Sequence, residues 1–393
     1  MSYRSHTCLR RISLASQHVF GFLATSERHL STYGYEQASA LAFKTYGQPE
    51  NVLSLHSHSI SPAYNNLLTI RFLASPINPA DINQIQGVYP SSPTFTTSLG
   101  TPEPIAVGGN EGVAEVVSAG ASVKELAKGD WVIMKKPGFG TWRTYAQTTE
   151  DNLLKVSDRS GITAAQAATV SINPCTAYRM LKDFVALQEG HWFIQNGANS
   201  NVGRAAIQLG RLLGYKSINV IRSRPSGLSE LKQELSDLGA DVVVTEEEAQ
   251  AGNFREKVKA WTAGSQERLL LGLNCVGGRS ATTIAKALNA DGQLITYGAM
   301  SKMPMQLPTS LLIFKNISFK GFWVSRWAER NSEEKAKTVQ HVLQLMRDKK
   351  FKNPPLEEVT WRASSAREHL IKAVTDSLEG YKRGKKIFVF RDT

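Results

Sequence analysis

Two clusters of residues in the middle of the chain have the chemistry to hold a dinucleotide. The first is the run Gln195-Asn196-Gly197-Ala198-Asn199-Ser200-Asn201-Val202-Gly203, in which Gly197, Ser200 and Gly203 recur at every third position. Glycine lets the backbone turn tightly and lets a ligand come close. A helix starting at such a turn offers unpaired N–H groups and the positive end of its dipole to a pyrophosphate. The spacing is a loose version of the G-x-G-x-x-G fingerprint, because Ala198 and Asn199 fill its middle, and a plain strand-to-helix turn fits the same residues. The second cluster is Val220-Ile221-Arg222-Ser223-Arg224-Pro225. A site for NAD places an Asp or Glu about 20 residues beyond the turn to bind the ribose hydroxyls. This segment has no acid and two arginines, whose guanidinium forks suit a phosphate dianion. Arg222 and Arg224 point to the 2′-phosphate of NADP, the bland alternative being two solvated side chains.

The surrounding pattern supplies the elements that such a site needs. Residues 192–195 read as a short buried strand, followed by a helix over about 203–213. Further strands are predicted at 217–221, 241–245, 269–275 and 293–297, and helices at 228–238 and 279–288. Strands alternating with helices of this length imply parallel βαβ units and a doubly wound sheet. Ahead of this region, β-rich runs at 67–74, 113–117 and 131–134 are punctuated by Gly and Pro, and a Pro- and Thr-rich stretch, 89–104, reads as an exposed loop. Behind it come an amphipathic helix at 332–349, a helix at 365–378 with the capping-box pair Ser365 and Glu368, and a last strand at 386–390. The expected organisation is an α/β dinucleotide-binding domain over 172–320, inserted into a β-rich domain built from 36–171 and 321–393.

Composition sets the outer limits. A chain of 393 residues exceeds the roughly 250–300 that one core fills, so two domains are expected. With 41% hydrophobic and 20% charged residues it is no disordered chain. No run approaches the ~20 apolar residues of a membrane-spanning helix. The three cysteines, Cys8, Cys175 and Cys275, are too scattered for a disulfide scaffold or a four-thiolate zinc site. Cys175 and Cys275 fall in strand or strand-end contexts and read as packing residues. Part of the net charge of +12 lies in residues 1–35, where Arg4, Arg10, Arg11 and Arg28 face a single acid, Glu27, among six serines. That Arg-rich, Ser-rich, acid-poor composition is the one a mitochondrial transit peptide has, the alternative being a basic tail with no address. The remainder is still basic. Its densest run, Lys382, Arg383, Lys385 and Lys386, has no aromatic platform beyond Tyr381 and reads as a solvated face rather than a nucleic-acid site.

Read together, these segments resemble the medium-chain dehydrogenase/reductase superfamily. Gly108-Gly109-Asn110-Glu111-Gly112, followed by Val116 and Gly120, is similar to its signature, except that the zinc enzymes usually carry His where Asn110 stands. The four-cysteine structural loop is also missing, so the resemblance is to a zinc-independent branch, with no metal expected. Within that branch the chain resembles the mitochondrial trans-2-enoyl thioester reductases. The matching motifs are Asn78-Pro79-Ala80-Asp81-Ile82-Asn83-Gln84-Ile85-Gln86-Gly87-Val88-Tyr89, Gly140-Thr141-Trp142-Arg143-Thr144, Asn173-Pro174-Cys175-Thr176-Ala177-Tyr178, Leu273-Asn274-Cys275-Val276-Gly277-Gly278 and Gly321-Phe322-Trp323.

The resemblance implies a Rossmann sheet domain inserted in a GroES-like catalytic domain. It implies NADPH-dependent reduction of enoyl-acyl carrier protein or enoyl-CoA in mitochondrial fatty-acid synthesis, in the matrix, by a homodimer. It carries the proton donor onto Tyr89. It carries cofactor contacts onto Asn173; Asn199, Ser200, Asn201 and Val202; Arg222, Ser223 and Arg224; Tyr297, Gly298, Ala299 and Met300; Phe322, Trp323 and Val324; and Lys385. Ser223 stands where an Asp is common, and Ala299 where Gly is frequent. The reaction needs a hydride at the β-carbon, donors for the enolate oxygen and a proton for the α-carbon, and a positioned phenol at Tyr89 can serve as acid or as enolate donor. Phe322 and Trp323 are apolar enough for a core or for an acyl pocket. A basic surface suits an acidic acyl carrier. The rival readings are a quinone or small enone reductase of the same superfamily, and a catalytically idle NADPH- or nucleic-acid-binding protein.

Overall fold

The computed structural model describes residues 34–377 and 384–393. The leader expected over 1–35 falls almost wholly outside the described residues, as do Tyr381, Lys382 and Arg383. The chain begins with an antiparallel hairpin, β1 (Glu36–Phe43) and β2 (Ser54–Ile60). In β3 (Leu68–Pro76), Ile70, Phe72 and Ala74 are fully buried while Arg71 between them faces Glu115 at 2.8 Å, the period-2 alternation of a strand with one face on a core. β4 (Ala106–Val107) extends the hairpin to three strands, and β5 (Val113–Ala119), β6 (Trp131–Met134), β7 (Tyr145–Thr148) and β8 (Leu153–Lys155) follow. Next come β9 (Trp192–Asn196), β10 (Lys216–Ile221), β11 (Val242–Thr245), β12 (Leu269–Asn274), β13 (Gln293–Thr296) and β14 (Ser318–Gly321), and the chain ends with β15 (Leu356–Trp361) and β16 (Lys385–Phe390).

Strands β9 to β14 form one parallel six-stranded sheet in the order β11-β10-β9-β12-β13-β14. Every residue of β9 and β12 is buried, as expected of central strands covered on both faces. The order reverses between β9 and β12, which makes the crevice beyond their carboxyl ends the topological switch point where such sheets bind ligands. The other strands come from both chain ends and run β15-β16-β3-β5-β6-β8, with β7 also on β3. The largest apolar cluster bridges the two sheets. It includes Ala74, Val113 and Ile387 of one sheet, Phe193, Leu271 and Ile295 of the other, and Val339, Val342, Leu343 and Met346 of helix Ser332–Arg347. An apolar joint of this kind fixes the orientation of the two bodies, and with it the crevice between them.

Four expectations need correction. Helix Arg367–Asp376 is capped by Ala366 and not by Ser365, whose hydroxyl accepts the Arg362 N–H at 2.8 Å instead. The helix starts two residues later than read, which leaves Ser365 to serve the turn before it. Cys175 lies in helix Asn173–Asp183 and not in a strand, although burial, which pushes its thiol up to about 12, keeps it a packing residue. The 89–104 loop is not simply exposed: Pro93 and Leu99 are buried, and Phe95 meets Phe43 and Tyr46 edge-on at 5.5 and 5.6 Å. Lys385 and Lys386 are not a solvated basic face, since each is only 7% exposed. Strand alternation sends them to opposite sides, Lys386 to Glu357 and Asp376 at 2.5 and 3.6 Å, Lys385 into the crevice. Among the described residues no helix is long and apolar enough to cross a membrane.

Candidate active site

At the carboxyl end of β9 the backbone turns at Gly197, with φ +57°. A Cβ there would lie 2.5 Å from the Cys275 sulfur. Ser200 caps helix Asn201–Leu212 by accepting the Gly203 N–H at 3.1 Å, and a Cβ on Gly203 would lie 2.5 Å from the Ala198 carbonyl. Both glycines are therefore required by the close approach of the protein's own atoms at this tight strand-to-helix turn. The helix starts two residues earlier than its sequence pattern predicts, so the N–H groups of Asn201 and Val202 belong to its open first turn. Below the turn, Asn196 Nδ2 donates to Asn274 Oδ1 and Ser280 Oγ at 2.8 and 3.0 Å, and its Oδ1 accepts the Cys275 N–H at 2.8 Å. This amide ties the ends of β9 and β12 together at the switch point. Arg204 fixes Asn199 by donating to its carbonyl at 3.0 Å and is itself held by Glu234 at 2.6 and 3.0 Å.

Arg222, Ser223 and Arg224 follow β10 directly. The parallel register pairs Ile221 with Thr245, so the residues after β11 lie beside them. Those residues are acids. Ser223 donates a short hydrogen bond to the Glu247 carboxylate. Burial raises the Glu246 carboxyl above the usual range, while the Ser280 hydroxyl, donating at 2.7 Å, and the nearby Arg222 charge oppose that rise. The strand end that lacks an acid of its own thus receives two from its neighbour. The Glu246-Glu247-Glu248 run after the predicted strand was the available signal.

The remaining rim residues come from β13 and β14. Tyr297 donates its N–H to the Asn274 carbonyl at 2.9 Å, and burial holds its phenol well above 10. A Cβ on Gly298 would meet the Cys275 carbonyl at 3.1 Å, whereas Ala299 and Met300 are exposed. Phe322 is buried edge-on against Phe184 at 5.7 Å. Because all six strands are parallel, the segments 199–202, 222–224, 297–300 and 322–324 collect along one edge of the sheet.

Across the crevice lies a buried polar cluster. Lys385 Nζ donates to Asn78 Oδ1 at 2.7 Å and lies 3.7 Å from Glu111 Oε2; the Asn173 amide donates to the same Asn78 oxygen at 3.3 Å. Asn78 Nδ2 donates to Glu111 Oε2 at 3.1 Å, and Glu111 Oε1 accepts the Ile172 N–H at 2.8 Å. Burial lowers the Lys385 pKa, and the charges of Glu111 and Asp81 resist it. Asn173, Asn201, Arg204 and Lys385 line one cleft between the bodies. Asn78 and Glu111 sit inside the sequence motifs but were not expected to be site residues. No group of three or more His, Cys, Asp or Glu able to hold a metal occurs among the described residues.

Tyr89 closes the site from above. It follows helix Pro79–Ile85 and a turn at Gly87 with φ +74°. Its oxygen accepts the Trp323 indole N–H at 2.9 Å, and the two rings meet edge-on at 5.8 Å and 87°. Indole is a donor only, so the phenol keeps its own proton to give elsewhere. Burial raises the phenol pKa above 10, the Trp323 bond opposes this, and the Asp81 charge adds to it. At neutral pH the Tyr89 phenol is therefore protonated, beside Trp323 at the crevice.

A doubly wound parallel sheet inserted in a mixed β body, with this crevice between them, is the architecture of medium-chain dehydrogenases/reductases. Family models described as the alcohol dehydrogenase GroES-like domain and the zinc-binding dehydrogenase match residues 65–158 and 201–344. The chain is 46% identical to the mitochondrial enoyl-acyl-carrier-protein reductase of Yarrowia lipolytica, over 88% of its own length and 89% of that protein's. It superimposes with a TM-score of 0.86 on the solved Etr1p complex with NADP and crotonyl-CoA, at 40% identity over 90% of this chain and 99% of the other. The mitochondrial 2-enoyl thioester reductase Etr1p/Etr2p heterodimer from Candida tropicalis matches equally well, with 41% identity, TM-score 0.86 and coverage of 90% and 99%. The chain belongs to the family of mitochondrial enoyl-acyl-carrier-protein reductases.

Proposed function

We propose that this protein reduces the 2,3-trans double bond of fatty enoyl thioesters, carried on acyl carrier protein or CoA, with NADPH in mitochondrial fatty-acid synthesis. It is an oxidoreductase of the CH–CH class and works in the mitochondrion. The observation that carries the reading is the Trp323–Tyr89 hydrogen bond, which fixes a proton-bearing phenol over the rim where the cofactor residues gather.

The residues fit the cofactor. The tight turn at Gly197 and Gly203 leads straight into helix Asn201–Leu212, whose first-turn N–H groups suit a pyrophosphate. Arg222 and Arg224 supply guanidinium groups for the 2′-phosphate, and Asn173 and Lys385 line a cleft together with Asn201 of the helix start. When bound, NADPH supplies a hydride to the β-carbon. As that C–H bond forms, the C=C π pair moves onto the α-carbon and thioester oxygen. Tyr89 then either passes its proton to the α-carbon or donates a hydrogen bond to the enolate oxygen. In the first role the phenolate left behind is stabilised by the Trp323 N–H until water reprotonates it. Tyr89→Phe separates this reading from its rivals. Turnover of crotonyl-CoA with NADPH should slow by on the order of 10²–10⁴-fold, with NADPH affinity retained. A parental rate, or quinone turnover exceeding that of crotonyl-CoA in the unaltered enzyme, would refute it.

Three further parts complete the reading. We assign cofactor binding to residues 172–320 and substrate chemistry to 36–171 with 321–393. We place the protein in the matrix, from its leader composition; a reporter fused to residues 1–40 that stays cytosolic would oppose this. We infer a homodimer joined along β14, an edge strand flanked by Leu312, Ile313 and Phe314, which are 50, 67 and 80% exposed. An unpaired edge beside an apolar patch is covered economically by a second copy, and a monomeric mass at micromolar concentration would contradict it.

A further inference from the structure

We propose that Gln84 and Asn110 are positioning residues for Tyr89, acting through a chain of amide hydrogen bonds that tethers the loop after it. The inference rests on the reading of Tyr89 as the acid. Ahead of Tyr89 the chain is tied to the helix by the exposed residues Gly87 and Val88, whose N–H groups donate to the Gln84 and Asn83 carbonyls at 3.0 Å. The hydroxyl is held at one end by Trp323. Beyond Tyr89 the chain is anchored at Ser91, two residues on, where Gln84 Nε2 donates to both the carbonyl and the hydroxyl at 3.0 Å. Gln84 sits in the last turn of helix Pro79–Ile85 and is 5% exposed, so its amide reaches the loop from a fixed point.

The orientation of that amide is dictated from below. Asn110 Nδ2 donates to Gln84 Oε1 at 2.5 Å and to Asp81 Oδ1 at 2.6 Å, while Asn110 Oδ1 accepts the Gly138 N–H at 2.6 Å. Asp81 Oδ2 accepts the Asn78 N–H at 2.7 Å. Asp81 accepts only, which obliges Asn110 to present its NH₂; that NH₂ obliges Gln84 to present its oxygen; Gln84 is left with its own NH₂ toward Ser91. Flipping either amide would set like atoms against each other in a buried site. The polarity of one carboxylate is thus relayed through two side chains to the loop that carries the acid. A phenol misplaced by about 1 Å loses much of its catalytic value, so the tether acts on rate rather than on cofactor affinity.

The test is a double-mutant cycle between Gln84→Met, which keeps length and volume but can neither accept nor donate as the amide does, and Tyr89→Phe. Alone, Gln84→Met should lower kcat on crotonyl-CoA by about 10- to 100-fold with the NADPH Kd held within about twofold. In the Tyr89→Phe background it should cost no more than about twofold, since no hydroxyl remains to be positioned. Ser91→Ala, at a half-exposed loop residue, provides a variant that leaves the helix untouched; it should lose about 2- to 10-fold alone and again nothing in the Tyr89→Phe background. Full loss in that background, by either variant, would show a structural effect independent of the phenol and overturn the proposal, as would a parental kcat for both variants. If Tyr89→Phe itself runs at the parental rate, the assignment of Tyr89 fails first, and the cycle distinguishes that failure from the failure of the tether alone.

Discussion

Trp323→Phe probes the bond on which the functional reading depends. The substitution keeps an aromatic ring beside Tyr89, where the rings now meet edge-on at 5.8 Å, and deletes the N–H that donates at 2.9 Å. A neutral hydrogen bond of this kind is worth about 0.5–1.5 kcal/mol net. If that stabilisation favours the phenolate formed as the proton leaves, its loss should slow the proton-transfer step by about 2- to 12-fold. The same loss has a signed effect on pH dependence. Trp323 lowers the Tyr89 pKa against burial and the Asp81 charge, which raise it, so removing the donor raises it further. The alkaline limb of the kcat profile should move to higher pH. The assay is crotonyl-CoA reduction at saturating NADPH across alkaline pH, in H₂O and D₂O, with the NADPH Kd measured separately. The solvent isotope effect should grow as proton transfer becomes slower. An unmoved or downward-shifted limb at unchanged kcat would refute the argument. Loss of NADPH affinity at unchanged kcat would instead make Trp323 a cofactor contact and nothing more.

Replacing Arg222 or Arg224 by Ala removes a charged donor worth about 1.5–3 kcal/mol, so NADPH binding should weaken by about 10- to 150-fold and NADH binding far less; equal losses for both would show that neither side chain reads the 2′-phosphate. Asp81 predicts a stability slope. Burial, its largest influence, raises its folded-state pKa to about 6 from the ordinary 3.8. The folded chain therefore holds this proton more tightly than the unfolded chain does between about pH 4 and 6, and the contribution is lost as pH rises through that window. Relative to Asp81→Asn, the parental Tm should fall from pH 4 to 6 and then level off. A relative rise over that range would show that the native carboxylate is favoured by its donors more than it is disfavoured by burial.

What was legible in the sequence was local. Gly203 could be read because it is demanded by a contact within a few residues of itself, the Ala198 carbonyl. The central strands β9 and β12 could be read because burial on both faces leaves a continuous apolar run. β1 and β2 were not read, since Ser54–Ile60 alternates Ser and His around a half-buried face and offers no hydrophobic pattern. The acids beside Arg222 escaped for a different reason. Glu246 and Glu247 are adjacent to Ser223 only through the β10–β11 register, and register belongs to the sheet, not to either strand.

The site itself is a set of long-range bonds, and spacing arguments cannot reach them. Tyr89 and Trp323 are 234 positions apart, and Lys385 and Asn78 are 307 apart. Family resemblance supplied Tyr89, Trp323 and Lys385 as names, and the fold supplies the reason for the last of them. β16 lies between β3 and β15, with Ile387 opposite Pro76 and Leu356 opposite Lys385. In this register Lys385 faces Asn78 and Glu111, while Lys386 faces Glu357 and Asp376. A slip of one residue would exchange the two faces. In one direction the slip would put Lys386 in the slot; in the other it would bring Gly384 there and leave Glu111, 1% exposed, as a buried carboxylate without its lysine. Breaking a buried pair in that way costs about 3–5 kcal/mol, a large part of a domain's stability. The last strand is thus held in register partly by the charge it delivers to the site. The same register sets both the pairing of the last strand and the place of Lys385 beside Asn78 and Glu111.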